Sequence, residues 1–230
     1  MDLKRALNEA KTLILEKKIE EASNILNNAL NVIQTEPPAD LTQEDKLILE
    51  AEIQEGIADT KILTQKDQEA LSHLLMAMTH LETFESLSQI SAHDILFRVY
   101  QKLSRAFDRL GQQFESEKYI RKAGEIKGSI FKKDIFKQLT EAGYIVSENV
   151  RGVETEASPV DIIGEKGRFK KTRIAIWFAM DESEVDTISY LTKGYAKYAK
   201  NRYIFLLMGQ PTIPNIEGTR IISSIDQIQF

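Results

Sequence analysis

Five positions recur three times along the first half of this chain, and their spacing limits what it can fold into. Ala10, Leu13, Ala22, Leu26 and Ala29 are followed, at identical internal spacing, by Ala58, Lys61, Ala70, Leu74 and Ala77, then by Ser104, Phe107, Ser116, Ile120 and Ala123. The sets lie 48 and 46 residues apart. Small and apolar residues at three- and four-residue intervals predict amphipathic helices. The small ones let two antiparallel helices approach closely, and the larger ones fill the layer between successive pairs. Helices are predicted over 3–17, 19–34, 44–63, 66–85, 92–110 and 113–126, six in three pairs. Pro37 and Pro38 interrupt after the first pair, because proline lacks an amide donor and restricts its predecessor. Asp40 or Thr42 can cap the helix that follows.

The third set carries the fullest pattern, with Tyr100, Leu103, Ser104, Phe107, Gly111, Ser116, Ile120 and Ala123. It resembles tetratricopeptide repeats. The chain departs from that family in its period, which is about 34 residues there, and in Lys61, which stands where an aromatic or aliphatic residue is usual. An unrelated helical bundle would share part of the pattern. The resemblance implies a concave groove, lined by the first helix of each pair, that grips protein partners. Glu52, Glu55 and Asp59 of the second pair map onto it, with Arg98, Gln101, Arg105 and Arg109 of the third. The lysine/asparagine clamp for a C-terminal carboxylate is not reproduced, so chaperone-tail recognition is not expected. Exposed charge is the default for helix faces, so these groups either meet a partner, pair across the groove or stay solvated.

Composition narrows the chemistry. The chain has no cysteine, which excludes a disulfide framework, a thiolate metal site and a catalytic thiol. Its histidines, His73, His80 and His93, lack the i,i+4 spacing of a helical metal pair. Residues 1–126 hold 15 Lys/Arg against 22 Asp/Glu, a net charge of −7, and residues 127–230 hold 15 against 13, a net of +2. Neither balance announces nucleic-acid binding by charge alone. The first part has almost no glycine, and the second alternates β-branched runs with turns. Gly124 and Gly128 are predicted to stop the sixth helix, placing a boundary between domains 1–126 and 127–230. No apolar run reaches the roughly 20 residues that span a bilayer. Met1 leads straight into an amphipathic pattern without the apolar core of a signal peptide, so no membrane partner and a cytoplasmic location are expected.

The second part reads as helix 131–142, strands 144–150, 160–164 and 172–180, helix 184–200 and strand 203–208, with 220–225 as a possible edge. The third strand is apolar on both faces, as a central strand covered on both sides requires. In the helix, Val185, Ile188, Leu191, Tyr195 and Tyr198 are predicted to face inward. A meander followed by a helical crossover gives a mixed sheet with helices packed on it. The fold class predicted is therefore multidomain, an all-α helical-repeat domain followed by an α/β domain with a mixed central sheet.

Over about residues 129–210 this order resembles the restriction-endonuclease-like, or PD-(D/E)xK, superfamily. Ser158-Pro159-Val160-Asp161-Ile162-Ile163-Gly164 is similar to the strand bearing that family's first metal-binding acid. Ile174-Ala175-Ile176-Trp177-Phe178-Ala179 is similar to the next strand, and Tyr190-Leu191-Thr192-Lys193-Gly194-Tyr195 to the helix after it. The resemblance implies two acids holding Mg²⁺ and a lysine acting on the attacking water. Asp161 stands at the first acid, as a vestigial metal ligand, but Trp177 and Ala179 occupy the places of the second acid and the lysine. Glu141, Glu165, Lys166, Asp181 and Glu182 are the nearest groups that could have migrated. No catalytic residue and no cofactor are expected, with Mg²⁺ required only if hydrolysis survives.

A scaffold without catalysis can still touch phosphates. Arg168, Lys170, Lys171 and Arg173 cluster before the third strand, and Lys193, Lys197 and Lys200 are predicted to share a helix face, with Arg202 close behind. The reading is a non-catalytic adaptor whose helices hold a protein partner and whose nuclease-like domain is an interaction module, with a homodimer open. A nucleic-acid-binding factor for DNA or RNA is the alternative, and a metal-dependent nuclease with displaced ligands the third.

Overall fold

The computed structural model describes residues 2–150, 160–168, 171–216 and 218–229. The chain divides into two compact units, Met1–Ala123 and Gly124–Phe230.

The first unit contains α1 (Leu3–Leu15), α2 (Ile19–Thr35), α3 (Gln43–Leu63), α4 (Asp67–Ser88), α5 (His93–Arg109) and the start of α6 (Gln113–Glu141). Asp2 and Thr42 cap α1 and α3 by accepting the N–H of Arg5 and Asp45. The three hairpin turns share one geometry. Lys17, Gln65 and Gly111 are left-handed, with φ of 62°, 58° and 73°. The next residue donates its N–H back to the carbonyl of Leu13, Lys61 or Phe107, at 2.9, 2.8 and 2.9 Å. Beyond each turn the small residues meet: Ala10, Ala22, Ala58 and Ala70 are wholly buried, and in the third hairpin Ser104 Oγ lies 3.0 Å from Ser116 Oγ.

The second unit is built on a six-stranded sheet ordered β1-β2-β3-β4-β6-β5: β1 (Ile145–Val150), β2 (Val160–Lys166), β3 (Thr172–Ala179), β4 (Asn201–Leu206), β5 (Asn215–Ile216) and β6 (Thr219–Ile222). β1, β2 and β3 pair antiparallel, β3, β4 and β6 pair parallel, and β5 turns back antiparallel on β6. On one face Ile135 and Leu139 of α6 pack with Ile162, Ile174, Ile176, Tyr203 and Phe205. On the other, α7 (Glu182–Thr192) and the 3₁₀ turn after it cover Ala175, Trp177, Ala179, Ile204 and Leu206. A mixed sheet with helices on both faces thus follows the helical unit.

Two sequence predictions need correcting. Gly124 and Gly128 do not end the sixth helix, since α6 runs unbroken to Glu141. A glycine costs a helix about 1 kcal/mol relative to alanine, which packing at both ends outweighs. Here the missing Cβ makes room: at Gly124 it would overlap the Met180 side chain, and at Gly128 it would crowd Leu207 at 3.3 Å. The helix predicted over 184–200 ends at Thr192 and tightens into a 3₁₀ turn over Lys193–Tyr195. Thr192 Oγ1 donates to the Ser189 carbonyl and pairs with Thr219 Oγ1, at 2.8 and 2.9 Å. Lys193, Lys197 and Lys200 therefore do not share a helix face. Tyr195 is buried as predicted, but Tyr198 is 40% exposed, and the Leu191 side chain lies outside the described residues.

Left-handed backbone is unfavourable for residues with a Cβ. Gln65→Gly should therefore stabilise the protein by about 0.5–1 kcal/mol and Gly111→Ala should destabilise it by about 1 kcal/mol, both read from urea unfolding.

Candidate functional site

The helical unit has a feature built like a binding site. A cavity of about 390 Å³ is lined from α1 by Lys11, Ile14 and Leu15, from α3 by Glu52, Glu55, Gly56 and Asp59, and from α5 by Arg98 and Lys102. Every lining residue comes from the first helix of a hairpin. The sequence marked Glu52, Glu55, Asp59 and Arg98 for this surface, and the structure brings them together there.

The acids and bases pair with each other. Arg98 grips both oxygens of Glu55, Nε at 3.1 Å and Nη2 at 3.0 Å. Lys102 Nζ reaches the same carboxylate at 2.8 Å and Asp59 at 2.7 Å. Lys11 meets Glu52 at 3.3 Å. Burial alone would push the Glu55 carboxyl up, but the Arg98 hydrogen bonds and the Lys102 charge prevail and hold it below the ordinary glutamate range. Asp59 goes the other way: burial raises it, and Lys102 only partly offsets this.

Lys102 and Lys11 were missed from the sequence. Lys102 lies one turn after Arg98, an i,i+4 signal that was present; Lys11 carries no such mark. Arg109 points elsewhere, to Asp67 at the start of α4, 3.2 Å away. Gln101 is half-buried and Arg105 exposed on α5, and neither lines the cavity. His73 Nδ1 lies 2.6 Å from Gln54 Oε1, and His80 Nδ1 lies 3.7 Å from Glu50. Both histidines thus serve buried polar groups of α3.

In the α/β unit the acid marked as a metal ligand is held by the fold. Asp161 lies where the alternation of β2 breaks: Val160 packs with Ile163, Ala175 and Trp177, whereas Ile162 packs on the α6 face. The β2–β3 register runs only to Ile162 and Ile176, and beyond it the Asp161 carboxylate accepts the Phe178 N–H at 2.9 Å. Burial raises its pKa; that hydrogen bond and the charge of Lys132 on α6 pull it down by less. Lys132 in turn pairs with Glu148 on β1 at 2.8 Å. Trp177 and Ala179 are buried against the α7 side, so they do not complete a site with Asp161. Among the described residues no three His, Asp or Glu could hold a metal ion together. Among the described residues the donors at Asp161 do not fit Mg²⁺, which needs several oxygen ligands in near-octahedral order. Of the other acids that could have migrated, Glu141 is exposed on α6 and the remaining three are occupied. Glu165 binds Lys171 and Arg173, Glu182 accepts the Thr212 N–H and hydroxyl, and Asp181 caps α7.

The basic clusters are brought to one end of the sheet. β3 and β4 run parallel from Thr172 and Asn201, while β2 ends opposite, at Lys166. The segments before β3 and β4 therefore lie at a common pole. The Arg173 guanidinium sits 3.9 Å over the Tyr198 ring, linking them. Arg168, Lys171, Lys193, Lys197 and Lys200 are exposed there, and Lys193 lies 5.6 Å from the ring of Tyr190, which is 73% exposed. Lys170 lies outside the described residues.

No protein-family model, no curated protein and no solved structure matches this chain. No helix among the described residues is long and apolar enough to cross a membrane.

Two outcomes follow. Asp161→Asn keeps an acceptor for Phe178 and removes a buried charge, so it should change stability by less than about 1 kcal/mol, whereas Asp161→Ala leaves that N–H unpaired and should cost about 1–3 kcal/mol. For Glu55, a lowered folded pKa means its contribution is complete above the unfolded pKa and disappears as pH falls through the folded one. Glu55→Gln should therefore cost about 1–3 kcal/mol at pH 7 and flatten the acid limb of stability against pH, both measurable by denaturant unfolding at stepped pH.

Proposed function

We propose that this chain is a non-catalytic adaptor. In this reading a tetratricopeptide-like helical unit holds a protein segment, and a restriction-endonuclease-like α/β unit, stripped of its catalytic set, serves as a second interaction module. The observation that carries it is the cavity formed solely by α1, α3 and α5, with paired charges organised around the buried Glu55 and two apolar side chains beside them. Repeated turns at Lys17, Gln65 and Gly111 support the repeat reading, because identical hairpins stack their first helices along one side. A site-specific photo-crosslinker at Leu15 should yield a discrete protein adduct in cells, and the same group at exposed Glu20 on α2 should not. Equal labelling from both positions, or none from Leu15, would contradict the groove reading.

A second reading has its own observation. The two basic clusters meet through Arg173 and Tyr198, and exposed tyrosine beside lysine suits phosphate contact with base stacking on DNA or RNA. Anisotropy with labelled single-stranded and duplex oligonucleotides should then show binding that weakens steeply with salt and has a smaller salt slope in Lys197→Ala. Absence of binding at low salt would remove this reading. Metal-dependent hydrolysis has no supporting donor set among the described residues.

A further inference from the structure

The cavity of the helical unit is neutral by count but not by local balance. Glu52, Glu55 and Asp59 face Lys11, Arg98 and Lys102. Glu55 takes the larger share of the positive charge, holding the Arg98 fork and one contact from Lys102. A further Arg98 nitrogen, Nη1, reaches the Asp94 carbonyl at 3.4 Å. Lys102 must therefore serve two carboxylates, and it is the one cation in ion-pair contact with Asp59 among the described residues.

Access follows the same division. The Glu55 side chain is 5% exposed, but that of Asp59 is 31% exposed. Asp59 is thus the most exposed of the three groove acids, ahead of Glu52 at 22%, and the one whose cation is shared with Glu55. Burial holds its carboxyl above the ordinary aspartate value in spite of Lys102. In the same cavity Ile14 and Leu15 present apolar surface, and Leu15 is 84% exposed. The surrounding field has the same sign as Asp59, since residues 1–126 carry 22 acids against 15 bases. Such a field draws cations toward the cavity before contact.

We infer that the groove takes a basic, apolar protein segment, with a leucine-sized side chain on Ile14 and Leu15 and a lysine or arginine beside Asp59. This deepens the adaptor reading and rests on it. The segment's cation supplies Asp59 with a partner of its own and leaves Lys102 to Glu55, while its apolar side chain removes Leu15 from water. An acidic segment would meet Asp59 and Glu52 with like charge, and the cations it could reach, Lys11 and Arg98, are already paired with Glu52 and Glu55.

The test uses the full chain and three fluorescein-labelled 12-residue peptides. One combines leucine and lysine on a serine background; the others replace its lysines by glutamate or its leucines by serine. Anisotropy titrations at fixed ionic strength should rank the leucine–lysine peptide tightest. Asp59→Asn and Leu15→Ser should each weaken it by about three- to tenfold, the scale of one lost contact of about 0.7–1.4 kcal/mol. Glu20→Gln, an exposed acid on α2 outside the cavity, should leave it unchanged, and circular-dichroism melts show whether each variant is folded. Tighter binding of the leucine–glutamate peptide, lost in Leu15→Ser, would overturn the charge assignment while keeping the groove. Equal weakening by Glu20→Gln would overturn its placement at Asp59. If none of the peptides binds, the inference falls, and the Leu15 crosslink separately decides whether the groove reading falls with it.

Discussion

Helix α3 is buried on nearly every side, and this one circumstance organises the helical unit. Its buried residues include not only Leu49, Ile53 and Ile57 but also Glu50, Gln54, Glu55 and Thr60. A polar group taken from water must be given a partner or it destabilises the fold. Each of the four has one: His80 near Glu50, His73 on Gln54, Arg98 and Lys102 on Glu55, and the Ile57 carbonyl for Thr60. The partners of Glu50, Gln54 and Glu55 come from α4 and α5, so satisfying α3 also fixes its neighbours. Gly56 completes the arrangement by leaving room for Leu26 of α2, whose Cδ2 would lie 3.1 Å from a Cβ there. The cavity is what remains on the side that no helix covers.

The α/β unit applies a similar rule at Asp161. A buried carboxylate stands where β2 loses its alternation, and it takes over a backbone donor, the Phe178 N–H, just past the end of the β2–β3 register. Lys132 and Glu148 supply charge nearby, and the result is a group with a structural occupation. The Trp177 indole fills space under the segment after α7 and stacks edge-on against Tyr195, with centroids 5.4 Å apart. Residues with these duties are poor material for metal chemistry. The opposite pole of the sheet gathers the exposed charge of Arg168, Lys171, Lys193, Lys197 and Lys200.

Much of this was legible in the sequence, for reasons that differ by region. The hairpins were readable because close helix contact needs small residues at fixed intervals, and Ala10, Ala22, Ala58 and Ala70 supply them. β3 and β4 were readable because burial on both faces demands an unbroken apolar run. The glycines of α6 misled because a missing Cβ serves equally to end a helix and to admit Met180 or Leu207, and the choice is made by distant residues. The early end of α7 depends on Thr219, 27 residues beyond Thr192, and local pattern carries no trace of it. In the groove, Glu55 and Arg98 were visible as charges at helical spacing. Their mutual pairing, 43 residues apart in sequence, belongs to the packing of α3 and α5.

The groove depends on that pairing being a fixed part of the fold rather than a solvated coincidence. A double-mutant cycle on Glu55→Gln and Arg98→Gln, followed by urea unfolding at pH 7, measures it directly. A coupling above about 1 kcal/mol is predicted, as for groups in one salt-bridge network. Additive effects, within about 0.3 kcal/mol, would mean that α3 and α5 are not joined through Glu55 and would contradict the preformed groove.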